Sequence, residues 1–225
     1  GWGLATSGQI GDGTTTNKSS PVQIGALTNW AEISAGGTHT IATRADGTLW
    51  GWGYNGNGQL GQNNTTNYSS PVQIGALTTW SSVGAGWQHS LAVKTDGTLW
   101  SWGYNPTGAL GLGNTTNRSS PVQVGALTTW AKVAGGLLST LAIKTDGTLW
   151  AWGDGGNGRL GTGNTTSRSS PVQVGALTTW AQVSCGEENG FAIKTDGTVW
   201  GWGLATSGQI GDGTTTNKSS PVQIG

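Results

Sequence analysis

The sequence predicts an all-β fold: a propeller-type array of four-stranded antiparallel blades, about four and a half of them in 225 residues. Three observations carry this. The chain repeats every 50 residues without insertion or deletion, each repeat breaks into short strand-like runs separated by turn residues, and no segment has helical periodicity. In register, Trp30, Trp80, Trp130 and Trp180 form one column, and Trp50, Trp100, Trp150 and Trp200 a second. Trp2, Trp52, Trp102, Trp152 and Trp202 form a third. Repeats of this length are supersecondary units that bury a shared core only by stacking on their neighbours.

Taken in order, WAEISAG (Trp30 to Gly36) alternates apolar and polar residues, as a half-buried strand does. IATRADGTLWGWG, from Ile41, sets Asp46-Gly47 between two strand-forming runs. Asp-Gly there predicts a two-residue type I′ hairpin, in which both central residues take positive φ. A Gly/Asn/Thr-rich loop from Gly53 to Ser69 follows. SSPVQIG closes the unit as a short extended stretch, at 19–25 as at 69–75, and its proline, lacking an N–H, belongs at an edge. Four antiparallel strands per repeat make a propeller blade. The sequence units are 1–50, 51–100, 101–150 and 151–200, with a half unit 201–225, and together they form a single repeat array.

Composition agrees. Glycine supplies 42 residues and charged residues only 9 %, against a usual share of about 25 %. The apolar area comes from Val, Ile, Leu and 14 Trp. Each aromatic buries roughly 150–250 Å², so the Trp columns read as sheet-packing anchors.

At this point the chain resembles the regulator-of-chromosome-condensation repeat. The matching residues are Gly36-Gly37-Thr38-His39-Thr40, Asp46-Gly47, Trp52-Gly53-Tyr54-Asn55 and Gly58-Gln59-Leu60-Gly61, with Gly86-Trp87-Gln88-His89-Ser90 in the second blade. The resemblance covers the whole chain and implies a β-propeller, commonly of seven blades. The chain departs from the pattern where Ser139 and Asn189 replace the histidine, and where Ala109 and Arg159 replace the glutamine. The family's best-known member catalyses nucleotide exchange on the small GTPase Ran and contacts chromatin. No residue here can be matched to that interface. The family's plant ultraviolet-B photoreceptor uses Gly-Trp-Arg-His-Thr clusters, but here a single related motif carries Gln88 in place of the arginine.

Residues 1–25 return letter for letter as 201–225, whereas 51–75 match them at only 16 positions. Four blades thus form a higher-order unit, and the chain, which has no Met, reads as a segment of a longer repeat protein or assembly.

The chemistry-bearing residues are few. Ten basic and ten acidic residues cancel, so nucleic acid, which is bound by phosphate neutralisation, is not an expected partner. No apolar run approaches the ~18 residues of a membrane helix. Cys185 is the sole cysteine and occupies the column of Ala35, which suggests a small buried residue. His39 and His89 are read as structural, bonding to a neighbouring blade's backbone. No catalytic residue, cofactor or metal site is expected, and the chain is read as a non-enzyme. Two surfaces stand out. One is the variable stretch carrying Thr38, His39, Trp87, Gln88, His89, Leu138, Glu187, Glu188 and Asn189, a candidate binding surface. The other holds candidate glycosylation acceptors at Asn17, Asn64, Asn67, Asn114, Asn117, Asn164 and Asn217.

These readings lead to a structural or adhesive repeat protein, extracellular or at the cell surface, whose blades self-assemble into a filament or surface array. Its partners would then be adjacent blades or identical chains. The alternative is a propeller scaffold recognising a protein or glycan, and the family analogy alone adds an exchange factor.

Overall fold

The computed structural model describes all 225 residues. Sixteen strands form four separate antiparallel sheets, each in simple meander order. Blade 1 comprises β1 (Trp30–Ala35), β2 (His39–Arg44), β3 (Leu49–Gly53) and β4 (Tyr68–Gln73). Blade 2 comprises β5 (Trp80–Ala85), β6 (His89–Lys94), β7 (Leu99–Gly103) and β8 (Arg118–Gln123). Blade 3 is β9 (Trp130–Gly135), β10 (Ser139–Lys144), β11 (Leu149–Gly153) and β12 (Arg168–Gln173). Blade 4 is β13 (Trp180–Cys185), β14 (Asn189–Lys194), β15 (Val199–Gly203) and β16 (Lys218–Ile224). The first strands of successive blades pack on one another, β1 on β5, β5 on β9 and β9 on β13, so they are the innermost. The proline-bearing strands β4, β8, β12 and β16 are outermost, where a missing N–H costs no ladder bond.

No blade has a core of its own. Ile41, Leu49 and Ile74 of blade 1 pack against Trp80, Val83 and Trp102 of blade 2, and the same seam recurs between blades 2 and 3 and between 3 and 4. The third-column indoles seal these seams. Trp52, Trp102, Trp152 and Trp202 are fully buried. Each donates its indole N–H to a corner carbonyl of the preceding unit: Gln9 O at 3.1 Å, Gln59 O at 2.8 Å, Ala109 O at 2.8 Å and Arg159 O at 3.0 Å. The other two columns form a different device. Trp30 and Trp50 meet edge to face at 6.2 Å, and the Arg44 guanidinium lies 3.6 Å from the Trp50 ring centre. Lys94, Lys144 and Lys194 sit likewise over Trp100, Trp150 and Trp200.

Two local expectations are corrected. The Asp-Gly turn is not type I′, because Gly47 has φ +76° but Asp46 is not in the positive-φ region. Gly47 N–H donates to Arg44 O at 2.9 Å and Arg44 N–H to Thr48 O at 3.0 Å, a type I turn closed by a glycine bulge. Asp46 serves instead as an acceptor, its Oδ1 taking both the Thr48 N–H (3.0 Å) and hydroxyl (2.6 Å). Those bonds hold its carboxyl below the ordinary range.

The second correction concerns residues 19–25, which form no strand. Residues 1–25 make only one bridge, Gly3 with Lys18, although the identical residues 201–225 supply the end of β15 and all of β16. In blade 4 those two strands complete a sheet with β13 and β14. Trp2 is 67 % exposed and Trp202 0 %.

Candidate protein-docking face

Meander connectivity places the first-to-second and third-to-fourth connections of every blade at one end of the sheets. The first-to-second turns are residues 36–38, 86–88, 136–138 and 186–188. Each is tied to its own blade through the residue after strand three: Tyr54 N–H to Thr38 O (2.9 Å), Tyr104 to Gln88 O (2.9 Å), Asp154 to Leu138 O (2.8 Å) and Leu204 to Glu188 O (3.0 Å). The first three are also tied to the next blade, by Gly37 N–H to Gly86 O (3.4 Å), Trp87 N–H to Gly136 O (3.0 Å) and Leu137 N–H to Glu187 O (3.1 Å). The turns form one continuous, hydrogen-bonded rim with a constant backbone and changing side chains.

The histidines hold that rim from beneath. Both are buried, at 1 % exposure. His39 Nε2 lies 2.8 Å from Ser90 Oγ, whose hydroxyl donates to Gln59 O at 2.7 Å. His89 Nε2 lies 3.1 Å from Thr140 Oγ1, which donates to Ala109 O at 2.8 Å. A hydroxyl has one proton, and a carbonyl can only accept, so the hydroxyl must accept from the ring. The network therefore assigns the Nε2–H tautomer. It leaves Nδ1 bare, and that of His39 has no partner. Charging the ring would bury a second N–H without an acceptor, and burial lowers the pKa of His39 to about 3 and of His89 to about 4. The acceptor is a side chain of the next blade rather than its backbone, as the sequence had suggested. The seam between blades 3 and 4 lacks this relay, because Ser139 stands in the histidine column and Gly190 in the hydroxyl column, where the Trp202 indole and Leu141 leave no room for a Cβ.

The other candidate residues are spread along the rim. Trp87, the one indole outside the three columns, is 44 % exposed and lies over Gly37. Gln88 Oε1 accepts from Asn57 Nδ2 at 3.2 Å. Glu187 is exposed, Thr38 and Leu138 are half-buried, and Asn189 has turned inward beneath Gly186. Glu188 belongs to a polar knot that the sequence did not disclose. Its carboxylate accepts from Asn157 Nδ2 at 2.8 Å and pairs with Arg159 at 3.3 Å. Arg159, 5 % exposed, also pairs with Asp154 at 3.2 Å. The available signal was joint departure, since Arg159 replaces the glutamine of its column and Asp154 alone is charged in its own, while Glu188 lies in a column that varies in every blade.

The asparagines close loops. Asn17, Asn67, Asn117 and Asn217 accept from the N–H of residues 5, 55, 105 and 205 at 2.8–3.0 Å. Asn64, Asn114 and Asn164 cap the N–H two residues on, at 2.9–3.0 Å. Cys185 directs its sulfur toward Ala134 O at 3.5 Å, and burial pushes its thiol up to about 12. No cluster of metal-ligating side chains is present, and no helix is long and apolar enough to cross a membrane.

Blades whose only core lies in their seams, with histidine-supported rim turns, define a repeat propeller of the chromosome-condensation-regulator type. The RCC1-like domain family matches residues 1–225, and the chain belongs to it. Among solved structures, human WBSCR16 is similar over the whole chain, with 21 % identity and a TM-score of 0.87. Yeast RCC1 (Prp20), solved with Kap60 bound, is similar at 21 % identity and 0.83. Prp20p of Saccharomyces cerevisiae, studied for its binding to Gsp1p and histones, is similar at 22 % and 0.84. The chain spans 61 %, 57 % and 58 % of their lengths. No curated protein sequence matches it.

These findings overturn two expectations. The chain is an RCC1-like domain, and the likeness runs to proteins solved or studied with Kap60, Gsp1p and histones, not to a filament-forming protein. The extracellular expectation is overturned with it, because the similar chains are Prp20 and WBSCR16. The features behind both readings have a local cause. The Gly, Thr and Asn content serves turns and loop closure, and the indole-rich flanks between blades 1 and 2, 2 and 3, and 3 and 4 pack within the chain's own seams.

Proposed function

We propose that this chain is a protein-docking propeller segment whose rim of first-to-second turns receives a regulatory protein partner, a small GTPase of the Gsp1p class, in the manner of an exchange factor. The observation that carries this reading is the contrast along the rim. The four turns share one backbone arrangement and one set of inter-blade bonds, yet they present Thr38, Trp87-Gln88, Leu137-Leu138 and Glu187-Glu188 in succession. A constant backbone that varies only the side chains of its turns, two of them exposed at Trp87 and Glu187, is suited to recognising an asymmetric partner surface. Trp87 supplies the kind of aromatic anchor that dominates protein interfaces, and the acidic end at Glu187 offers charge steering.

Binding of the chain to an immobilised, nucleotide-free GTPase of that class, with release of labelled GDP followed in parallel, tests the reading. The expected result is saturable binding and faster release. Trp87→Ala and Glu187→Lys should each weaken binding about tenfold or more, while Leu77→Ala, in the linker at the opposite end of the blades, leaves it unchanged. Absence of binding, or equal binding by all three variants, would overturn it.

A further inference from the structure

The five third-to-fourth loops repeat one pair of positions with different chemistry. Lys18 pairs with Asp12 at 3.1 Å, and Lys218 with Asp212 at 3.0 Å. In the second repeat the pair is Tyr68 with Gln62, and the Gln62 amide turns to Gln73 O at 2.8 Å. In the third repeat the cation remains as Arg118, but its carboxylate partner is replaced by Leu112. In the fourth repeat the pair is Arg168 with Thr162. Neither Arg118 nor Arg168 has an ion pair, and the Nε of each is without a partner.

Of the two, Arg118 lines a groove of about 480 Å³ between blades 2 and 3, together with Leu112, Leu127, Trp130, Trp150 and Pro171. Trp130 is 2 % exposed, and its indole N–H, like those of Trp80 and Trp180, finds no acceptor. The groove therefore combines apolar and aromatic walls, an uncompensated cation and a buried unpartnered donor. No acidic side chain lines it. The corresponding groove between blades 3 and 4 is about 250 Å³ and is not lined by an arginine.

We propose that the groove between blades 2 and 3 is a binding site for a small monocarboxylate with an apolar or aromatic body. Its carboxylate takes the place on Arg118 that Asp12 and Asp212 take on Lys18 and Lys218, and its body lies among Leu127, Trp130, Trp150 and Pro171. Charge complementarity and the internal repeat select the anion. The volume lies within the range of small-ligand sites. Arginine's planar fork suits a carboxylate.

Calorimetric titration of the whole chain with 3-phenylpropionate tests this, with the neutral isostere 3-phenylpropan-1-ol as control. The expected Kd is below about 1 mM. Removing one charge-assisted partner should weaken binding about tenfold or more, so the alcohol and Arg118→Gln should both bind at least that much less tightly. Leu112→Asp rebuilds inside the protein the pair seen at Asp12 and Lys18. It should abolish binding while leaving the melting temperature equal or higher. No binding at millimolar acid, equal binding of the alcohol, or undiminished binding by Leu112→Asp would each overturn the proposal.

Discussion

Trp2 and Trp202 occupy the same place in the same 25-residue sequence, so replacing each by alanine isolates the energy of the seam. Trp202 is fully buried and donates to Arg159 O at 3.0 Å. Its side chain removes about 200 Å² from water, worth about 5 kcal/mol at 25 cal/mol per Å². Measured truncations of buried aromatics run to about 3–5 kcal/mol. The lost hydrogen bond is part of that range rather than an addition to it. Trp2 is 67 % exposed and donates no hydrogen bond, so the same reasoning leaves it at about 1 kcal/mol or less. Urea denaturation followed by far-UV circular dichroism measures the difference. Because repeat arrays unfold by nearest-neighbour coupling, Trp202→Ala should give an early transition from blade 4, while Trp2→Ala nearly superimposes on the parent curve. Equal midpoints for the two variants, or a neutral Trp202→Ala, would refute the claim that stability lies in the seams.

Two further outcomes follow from the same geometry. The folded-state pKa values of His39 and His89 lie below the ordinary 6.5, at about 3 and about 4. The unfolded chain therefore binds their protons first, and stability falls as pH drops below about 6.5. Between pH 6.5 and 5, above the range of the lowered aspartates, denaturant midpoints should decline, and His39→Ser should be less stable at pH 7 with a shallower decline. An unchanged slope would contradict the neutral, buried assignment. Glycine offers another internal control. A Cβ on Gly97 would collide with the Thr128 carbonyl, whereas one on Gly197 meets nothing, and both have positive φ (+77° and +84°). Gly197→Ala should cost about 1–2 kcal/mol in a melt, and Gly97→Ala about 1–3 kcal/mol more. Equal costs would show that the turn moves freely against the linker.

The repeat, the strand pattern and the role of the Trp columns were legible because each is fixed by periodicity and local alternation. The blade itself is also legible from the resemblance, which the RCC1-like family match establishes over residues 1–225. Three things were not legible, the first for a local reason and the other two for nonlocal ones. Asp46-Gly47 reads as type I′ from the dipeptide, but the Thr48 hydroxyl and N–H recruit the Asp46 carboxylate and change the turn. Residues 19–25 have strand-like sequence, but β-structure needs a partner, and only the second copy lies on β13 and β14. The acceptor of each histidine sits 51 residues away, on the next blade. Pairing across a seam cannot be read from one repeat alone. The candidate docking residues were found as variation against a constant background. The Arg159–Glu188 knot and the unpaired Arg118 emerge only when two varying columns are set side by side.

Hydrogen–deuterium exchange of the chain alone and with a nucleotide-free GTPase of the Gsp1p class tests the docking face most directly. The account requires new protection at residues 36–38, 86–88, 136–138 and 186–188, with the Asp-Gly turns at the far end of the blades unchanged. Protection confined to those turns or to the outer proline strands would contradict it.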